Sequence, residues 1–173
     1  AGVELRKQDP KLETERKRLY EITELACRFF ERQLKESKTG LEVKSYLLKR
    51  GINEKSIKKW RLGYSPNTWR GLSDFLVSKG YEREEIVKAG LAIKKESEEI
   101  HSAYDRFRGR IIFPVFDLNS QVIGFGGRVF EKAQDPKLKT KDEEVAKYIN
   151  TPNTLLYDKS RVLYGLNAAR IEV

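Results

Sequence analysis

Ile111-Ile112-Phe113-Pro114-Val115-Phe116, then Asp117-Leu118-Asn119-Ser120, then Gln121-Val122-Ile123-Gly124-Phe125-Gly126-Gly127-Arg128-Val129-Phe130, is the stretch that decides the fold. Two runs of β-branched and aromatic residues flank four residues of turn chemistry, the pattern of an antiparallel hairpin. Pro114 lacks a backbone N–H and cannot donate to a ladder, so it is expected at a sheet edge or a bulge. Gly124, Gly126 and Gly127 fit no dinucleotide-binding fingerprint, because no G-x-G-x-x-G spacing precedes a helix, and no P-loop, because no Gly-Lys-Ser/Thr follows. They read as places where the strand bends or another backbone comes close.

Upstream of the hairpin the periodicity changes. From about Lys11 to Lys38, apolar residues fall at Leu12, Leu19, Ile22, Leu25, Ala26, Phe29, Phe30 and Leu34, spacings of three and four that predict one long amphipathic helix. Gly40 is expected to end it. A second helix carries Val43, Tyr46 and Leu47 inward and stops at Gly51, and Asn53 caps a short third helix with Ile57 and Trp60 buried. Gly63 to Asn67 reads as a turn. Leu72, Phe75 and Leu76 mark a further helix ending at Gly80, and a short one spans Glu82 to Ala89. Downstream, Glu131 to Ala146 is charged, without apolar period, and is expected to be a mobile loop. Lys147-Tyr148-Ile149-Asn150-Thr151-Pro152 reads as extended, and Leu163 to Asn167 as a helix start. The fold class is therefore α+β: a helical N-terminal lobe of four to five helices over 1–92, followed by a small antiparallel β-sheet with its charged loop over 93–173.

Composition removes several function classes. The 173 residues hold one Cys and one His, so an internal disulfide and a four-ligand Cys/His zinc site are both excluded. Histidine chemistry could use only His101, in a polar stretch. No apolar run is long enough to span a bilayer, and the cytoplasm is the expected compartment. Carboxylates lie mainly on helix faces and in 131–146, with no constellation suited to Mg²⁺, which speaks against a nuclease or a self-sufficient polymerase.

The net charge of +9 is unevenly spread. Lys44, Lys49, Arg50, Lys55, Lys58, Lys59, Arg61 and Arg70 stand against the single acid Glu54 between residues 44 and 70, an electrostatic footprint for a polyanion. In Tyr104-Asp105-Arg106-Phe107-Arg108-Gly109-Arg110, the three arginines share one face if the segment is extended. Phosphates would then separate their charges; the competing reading has Asp105, Asp117 and loop acids pairing with them. Lys147, Tyr148 and Asn150 put a cation, an aromatic face and an amide on one segment, with Tyr148 able to stack a base or, equally, to sit in a core. Lys159 and Arg161 beside Tyr157 make another cationic cluster, and Arg128 ends the glycine-rich strand.

Taken in order, Arg106 to Val115, Val122 to Arg128, Lys147 to Pro152, and Lys159 with Leu163-Tyr164-Gly165-Leu166 resemble the bacterial DnaG-type primases. Tyr46-Leu47-Leu48-Lys49-Arg50-Gly51 and Leu62-Gly63-Tyr64-Ser65-Pro66 extend the resemblance over essentially the whole chain. It implies the basic N-terminal subdomain of an RNA polymerase core that makes short RNA primers on single-stranded DNA. Arg50, Arg128, Lys147 and Lys159 match the family's template-binding cations; Tyr148 and Asn150 share a matched motif; Arg106, Arg108 and Arg110 match its arginine-rich stretch. It implies no cofactor in this chain. Mg²⁺ or Mn²⁺ is expected in a TOPRIM half that would begin near Val173, and Zn²⁺ in a zinc ribbon. Expected partners are a single-stranded DNA template, RNA–DNA hybrid and NTPs through the core, and the replicative helicase through a C-terminal domain. The fragment alone is expected to be inactive. Two other readings share the charge pattern: a non-catalytic single-strand-binding module of another replication or repair factor, and a basic surface that docks an acidic protein.

Overall fold

A computed structural model of the chain describes residues 9–94, 99–130 and 146–169. The expected loop 131–146 and the expected N-terminal tether 1–10 lie almost wholly outside the described residues. The long helix α1 runs Pro10–Glu36. Asp9 caps it, accepting from the N–H of Lys11 at 2.9 Å, and Pro10 occupies the first turn, where its missing N–H costs nothing. Its buried stripe is Leu19, Ile22, Ala26, Cys27, Phe30 and Leu34; Leu12, at the end of the predicted stripe, is exposed. Burying each large side chain contributes roughly 1.5–3 kcal/mol.

Helix α2, Lys38–Lys49, begins after a single residue, and Gly40 lies inside it rather than ending α1. Ser37 both terminates α1 and caps α2, accepting from the N–H of Gly40. A methyl at Gly40 would sit 2.0 Å from the Gln33 carbonyl oxygen. This glycine permits a close helix–helix approach, a need invisible in a one-dimensional pattern. Gly51 follows α2 with φ +86°, the left-handed conformation expected of a helix stop. Helix α3, Glu54–Lys59, is capped by Asn53, as its sequence predicts. Helices α4, Gly71–Ser78, and α5, Arg83–Lys88, complete the helical lobe.

The segment Gly63–Ser65, read above as a turn, forms strand β1. It is too short and too rich in turn formers to announce itself. It pairs antiparallel with the hairpin's first strand, with Gly63 opposite Ile112. Ala92–Ile93 (β2) and Tyr104–Asp105 (β3) form a separate two-stranded pair. The hairpin is β4, Arg110–Phe116, and β5, Val122–Val129, with Ile111 opposite Arg128. Strand β6, Tyr148–Asn150, adds to β5, giving the order β1-β4-β5-β6. β1 reaches only as far as Ile112, so no strand flanks Pro114 on that side, and the register shifts just after it, between Val115 and Phe116. A one-turn helix, α6, Leu166–Ala169, closes the described chain.

Alternation along β4 sorts the core by face. Ile112 and Phe116 join Phe125 and Phe107 against α1, α4 and α5, with the Phe30 ring edge-on to Phe125 at 5.4 Å. Thr23 of α1 donates its hydroxyl to the Val122 carbonyl at 2.7 Å, tying the helix to the sheet. On the opposite face, Ile111 packs with Tyr64, Leu47, Ile57 and Phe130 under α2 and α3. Val115 and Ile123 pack under Tyr157 on that face. Between these two covered regions a strip of sheet stays open, bounded by β6.

Candidate nucleic-acid interface

Arg128 is directly opposite Tyr148 in the β5–β6 ladder, and Gly126 is opposite Asn150. All four therefore lie on the open face. Arg50 reaches the same place from the helical lobe. It stands at the C-terminal cap of α2, one turn after Tyr46, so both project from one side of the helix. The Arg50 guanidinium carbon lies 5.4 Å from the Tyr46 ring centroid and that of Arg128 5.5 Å. Phe130 holds the Tyr46 ring edge-on at 5.8 Å. Two cations remote in sequence are thus gathered at one aromatic ring, each within cation–π range. Among the described residues no carboxylate forms an ion pair with Arg50, Arg128, Lys147 or Lys159.

Lys147 precedes Tyr148, and its carbonyl accepts from the Val129 N–H at 2.9 Å, while its side chain is exposed. Tyr148 is 61% exposed, too open for a core tyrosine. Beside it is a depression of about 460 Å³ whose lining includes Phe113, Gly126, Tyr148, Asn150, Tyr157 and Tyr164. Tyr164 is stacked on Trp60 at 5.7 Å, so the end of α3 supports this wall; burial raises the Tyr164 hydroxyl pKa. Lys159 belongs to a loop pinned to the sheet by the buried Tyr157, and its N–H bonds Asn153. Arg161 is paired with Asp158 at 3.5 Å. Asp158 also accepts from the N–H and hydroxyl of Ser160. Its charge is therefore directed to Arg161 and Ser160 rather than to Lys159.

The arginine-rich segment departs from its extended reading. Residues 106–109 form a turn, with Gly109 at φ +64°, and the three guanidinium groups diverge. Arg106 donates to the Asn150 carbonyl at 3.1 Å and thereby anchors β6. Arg108 lies between Trp69, at 3.9 Å, and Tyr104, at 4.6 Å. Arg110 is 6% exposed and donates to the carbonyls of Gly127 and Lys147 at 3.4 Å each. Burial, and then the neighbouring Arg106 and Arg108, lower its pKa. In this conformation Arg110 cannot meet a phosphate; it supports the strands that present Arg128 and Lys147. Among the described residues neither Asp105 nor Asp117 pairs with these arginines. Asp105 accepts from the N–H groups of Leu72 and Ser73 at the start of α4. Asp117 binds the N–H groups of the hairpin turn.

Part of the basic surplus in 44–70 is also internal. Lys44 pairs with Glu54 at 2.8 Å, and Arg61 bridges Glu24 and Glu31 of α1 at 2.8 and 2.9 Å. Burial opposes the Arg61 charge, but those bonds outweigh it and raise its pKa. Sequence reasoning missed Tyr46 as a platform, although its spacing of four from Arg50 was the available signal. It also missed Trp60 and Tyr164 as a stacked pair, for which the sequence holds no local sign.

The fold is thus an α+β domain whose open sheet face and helix terminus bring Arg50, Arg128 and Lys147 near the half-buried Tyr46 and the exposed Tyr148, with no carboxylate partner for these cations among the described residues. Residues 29–170 match the family described as the N-terminal domain of the DNA primase catalytic core, and the chain belongs to that family. Clostridium acetobutylicum DNA primase is 42% identical over 152 residues, covering 88% of this chain and 22% of that protein. The RNA polymerase domain of Mycobacterium tuberculosis primase DnaG superposes with a TM-score of 0.77 at 33% identity, over 91% of this chain and 47% of that one. A DnaG primase catalytic domain bound to single-stranded DNA gives 0.76 at 29% identity, over 92% and 45%. The chain thus spans about a fifth of the curated relative and under half of the solved domains. Among the described residues no group of three or more His, Cys, Asp or Glu side chains could hold a metal ion, and no helix is long and apolar enough to cross a membrane.

Proposed function

We propose that this chain is the template-holding part of a bacterial primase core, acting on single-stranded DNA in the cytoplasm. The observation that carries the reading is the meeting of Arg50 and Arg128 at the Tyr46 ring, next to an edge strand bearing Lys147 and Tyr148. Template phosphates track Arg50, Arg128 and Lys147, with Lys159 and Arg161 at the far rim. Tyr148 contacts a sugar or base, and Asn150 lies beside it. Arg106, Arg108 and Arg110 act on the strand indirectly, by holding the strands and turn that present these groups.

In the whole primase, carboxylates of a TOPRIM half would hold Mg²⁺ or Mn²⁺, which would supply charge neutralisation for phosphoryl transfer. The residues here bind and orient the strand for that half. RNA–DNA hybrid and NTPs engage the complete core, the zinc ribbon holds Zn²⁺, and the replicative helicase docks on a C-terminal domain. A single-stranded DNA-bound relative of the same fold supports the reading, as does the absence of carboxylate partners for the four central cations among the described residues.

The test is fluorescence anisotropy of a labelled oligonucleotide against salt. Neutralising about four phosphates of a single strand gives a log–log slope of roughly −3, and each cation removed should flatten it by about 0.7. Arg128→Ala, Lys147→Ala and Lys159→Ala should each weaken binding. A triple variant that keeps the wild-type affinity and slope would overturn the assignment.

A further inference from the structure

We infer that the depression between Tyr148 and Tyr164 seats one unpaired base of the bound strand, with Asn150 reading its edge. This rests on the template-binding reading above. At about 460 Å³ the depression is of the size that takes small ligands. Gly126, on its floor, is two residues from Arg128, about 7 Å along β5. A strand whose phosphates meet Arg128 and Lys147 therefore passes the mouth of the depression. Its lining combines Phe113 with Tyr148, Tyr157 and Tyr164, aromatic faces on which any base can stack.

The polar element is Asn150. Its carbonyl accepts from Arg106 and its strand is laddered to β5, but its carboxamide makes no hydrogen bond among the described residues. A methyl at Gly126 would come within 3.2 Å of the Asn150 Oδ1, so glycine there lets the carboxamide lie low across the floor. One donor and one acceptor side by side match a base edge, and adenine complements such a pair, its N6 amino group donating and its N7 accepting. The cationic rim selects the occupant. A base tethered to phosphates gains from Arg128 and Lys147, whereas an apolar protein side chain does not.

The experiment uses the shortest labelled oligothymidylate that retains full affinity for the chain, so that the strand has one register. A single abasic site is walked along it, then a single deoxyadenosine. One position should stand out: the abasic site there weakens binding about five-fold or more, and deoxyadenosine tightens it. Asn150→Ala should abolish the deoxyadenosine gain, and a gain that survives this change would refute the edge reading by Asn150. If no position stands out while Arg128→Ala still flattens the slope, the base seat is refuted and the groove stands. If Arg128→Ala and Lys147→Ala leave the slope unchanged, the groove reading fails, and the seat with it.

Discussion

Replacing Arg61 separates charge that holds the fold from charge that meets a ligand. Arg61 follows α3 in the left-handed conformation, φ +51°. The backbone closes as a Schellman motif, with the Leu62 N–H on the Ile57 carbonyl and the Arg61 N–H on that of Lys58. Glycine is the usual residue there. Arginine stands in its place and makes four N–H to carboxylate bonds of 2.8–3.2 Å to Glu24 and Glu31. Breaking a fully buried pair costs about 3–5 kcal/mol. The side chains of Arg61, Glu24 and Glu31 keep 25%, 33% and 20% exposure, and solvent screening reduces this to about 2 kcal/mol. Arg61→Ala loses that and keeps the left-handed strain. Arg61→Gly loses the bonds but recovers about 1 kcal/mol of strain. Urea denaturation followed by circular dichroism should rank wild type over Arg61→Gly over Arg61→Ala.

The Arg61 effect should also depend on pH. Burial raises the Glu24 pKa, but the bonds from Arg61 and Arg28 outweigh it and hold it below its ordinary value. A depressed carboxylate stabilises the fold above its unfolded pKa, about 4.3, and that contribution fades as pH falls through the folded value. The gap between wild type and Arg61→Ala should narrow below about pH 4. The salt slope of single-strand binding should not change in either variant. Equal stabilities of Arg61→Ala and wild type, or a flattened slope, would refute the reasoning.

Gly40→Ala should destabilise by about 1–2 kcal/mol, because overpacking against the Gln33 carbonyl outweighs the roughly 1 kcal/mol that alanine gains in a helix; thermal melting measures the net sign, and a stabilised variant would contradict the close approach. Asp105→Ala should cost about 3 kcal/mol, a lost cap plus the buried N–H groups of Leu72 and Ser73 left unpaired. Hydrogen exchange should then speed up first at the start of α4.

The hairpin was legible because β-branched runs on either side of Asp117 to Ser120 leave few alternatives, and α1 because its stripe repeats over many turns. The stops at Gly51 and Gly80 were legible because a glycine in the left-handed conformation ends a helix locally. Gly40 and β1 were not, since a close helix contact and a three-residue strand are settled by partners far along the chain. Of the candidate interface, Lys147, Lys159 and Arg161 stood out as cations beside aromatics, and Arg128 as the cation ending a glycine-rich strand, whereas Arg50 was singled out of its basic run only by the family resemblance. What the sequence could not show is the turn at 106–109, which sends Arg106, Arg108 and Arg110 to three separate structural tasks. Nor could it show that α1 claims Arg61 for itself.

The meeting of Arg50 and Arg128 at Tyr46 has an energetic consequence for the empty protein. Two like charges that share one ring, with no carboxylate partner among the described residues, repel each other at low salt, and that repulsion offsets part of the cation–π attraction in the unliganded fold. A polyanion relieves that repulsion and, at a hundred times its Kd, adds about 2.7 kcal/mol of stability by mass action. The melting temperature should therefore climb when single-stranded DNA is added at low salt and fall back as salt rises. Removing Arg128 should shrink that response, since one of the two repelling charges is then gone.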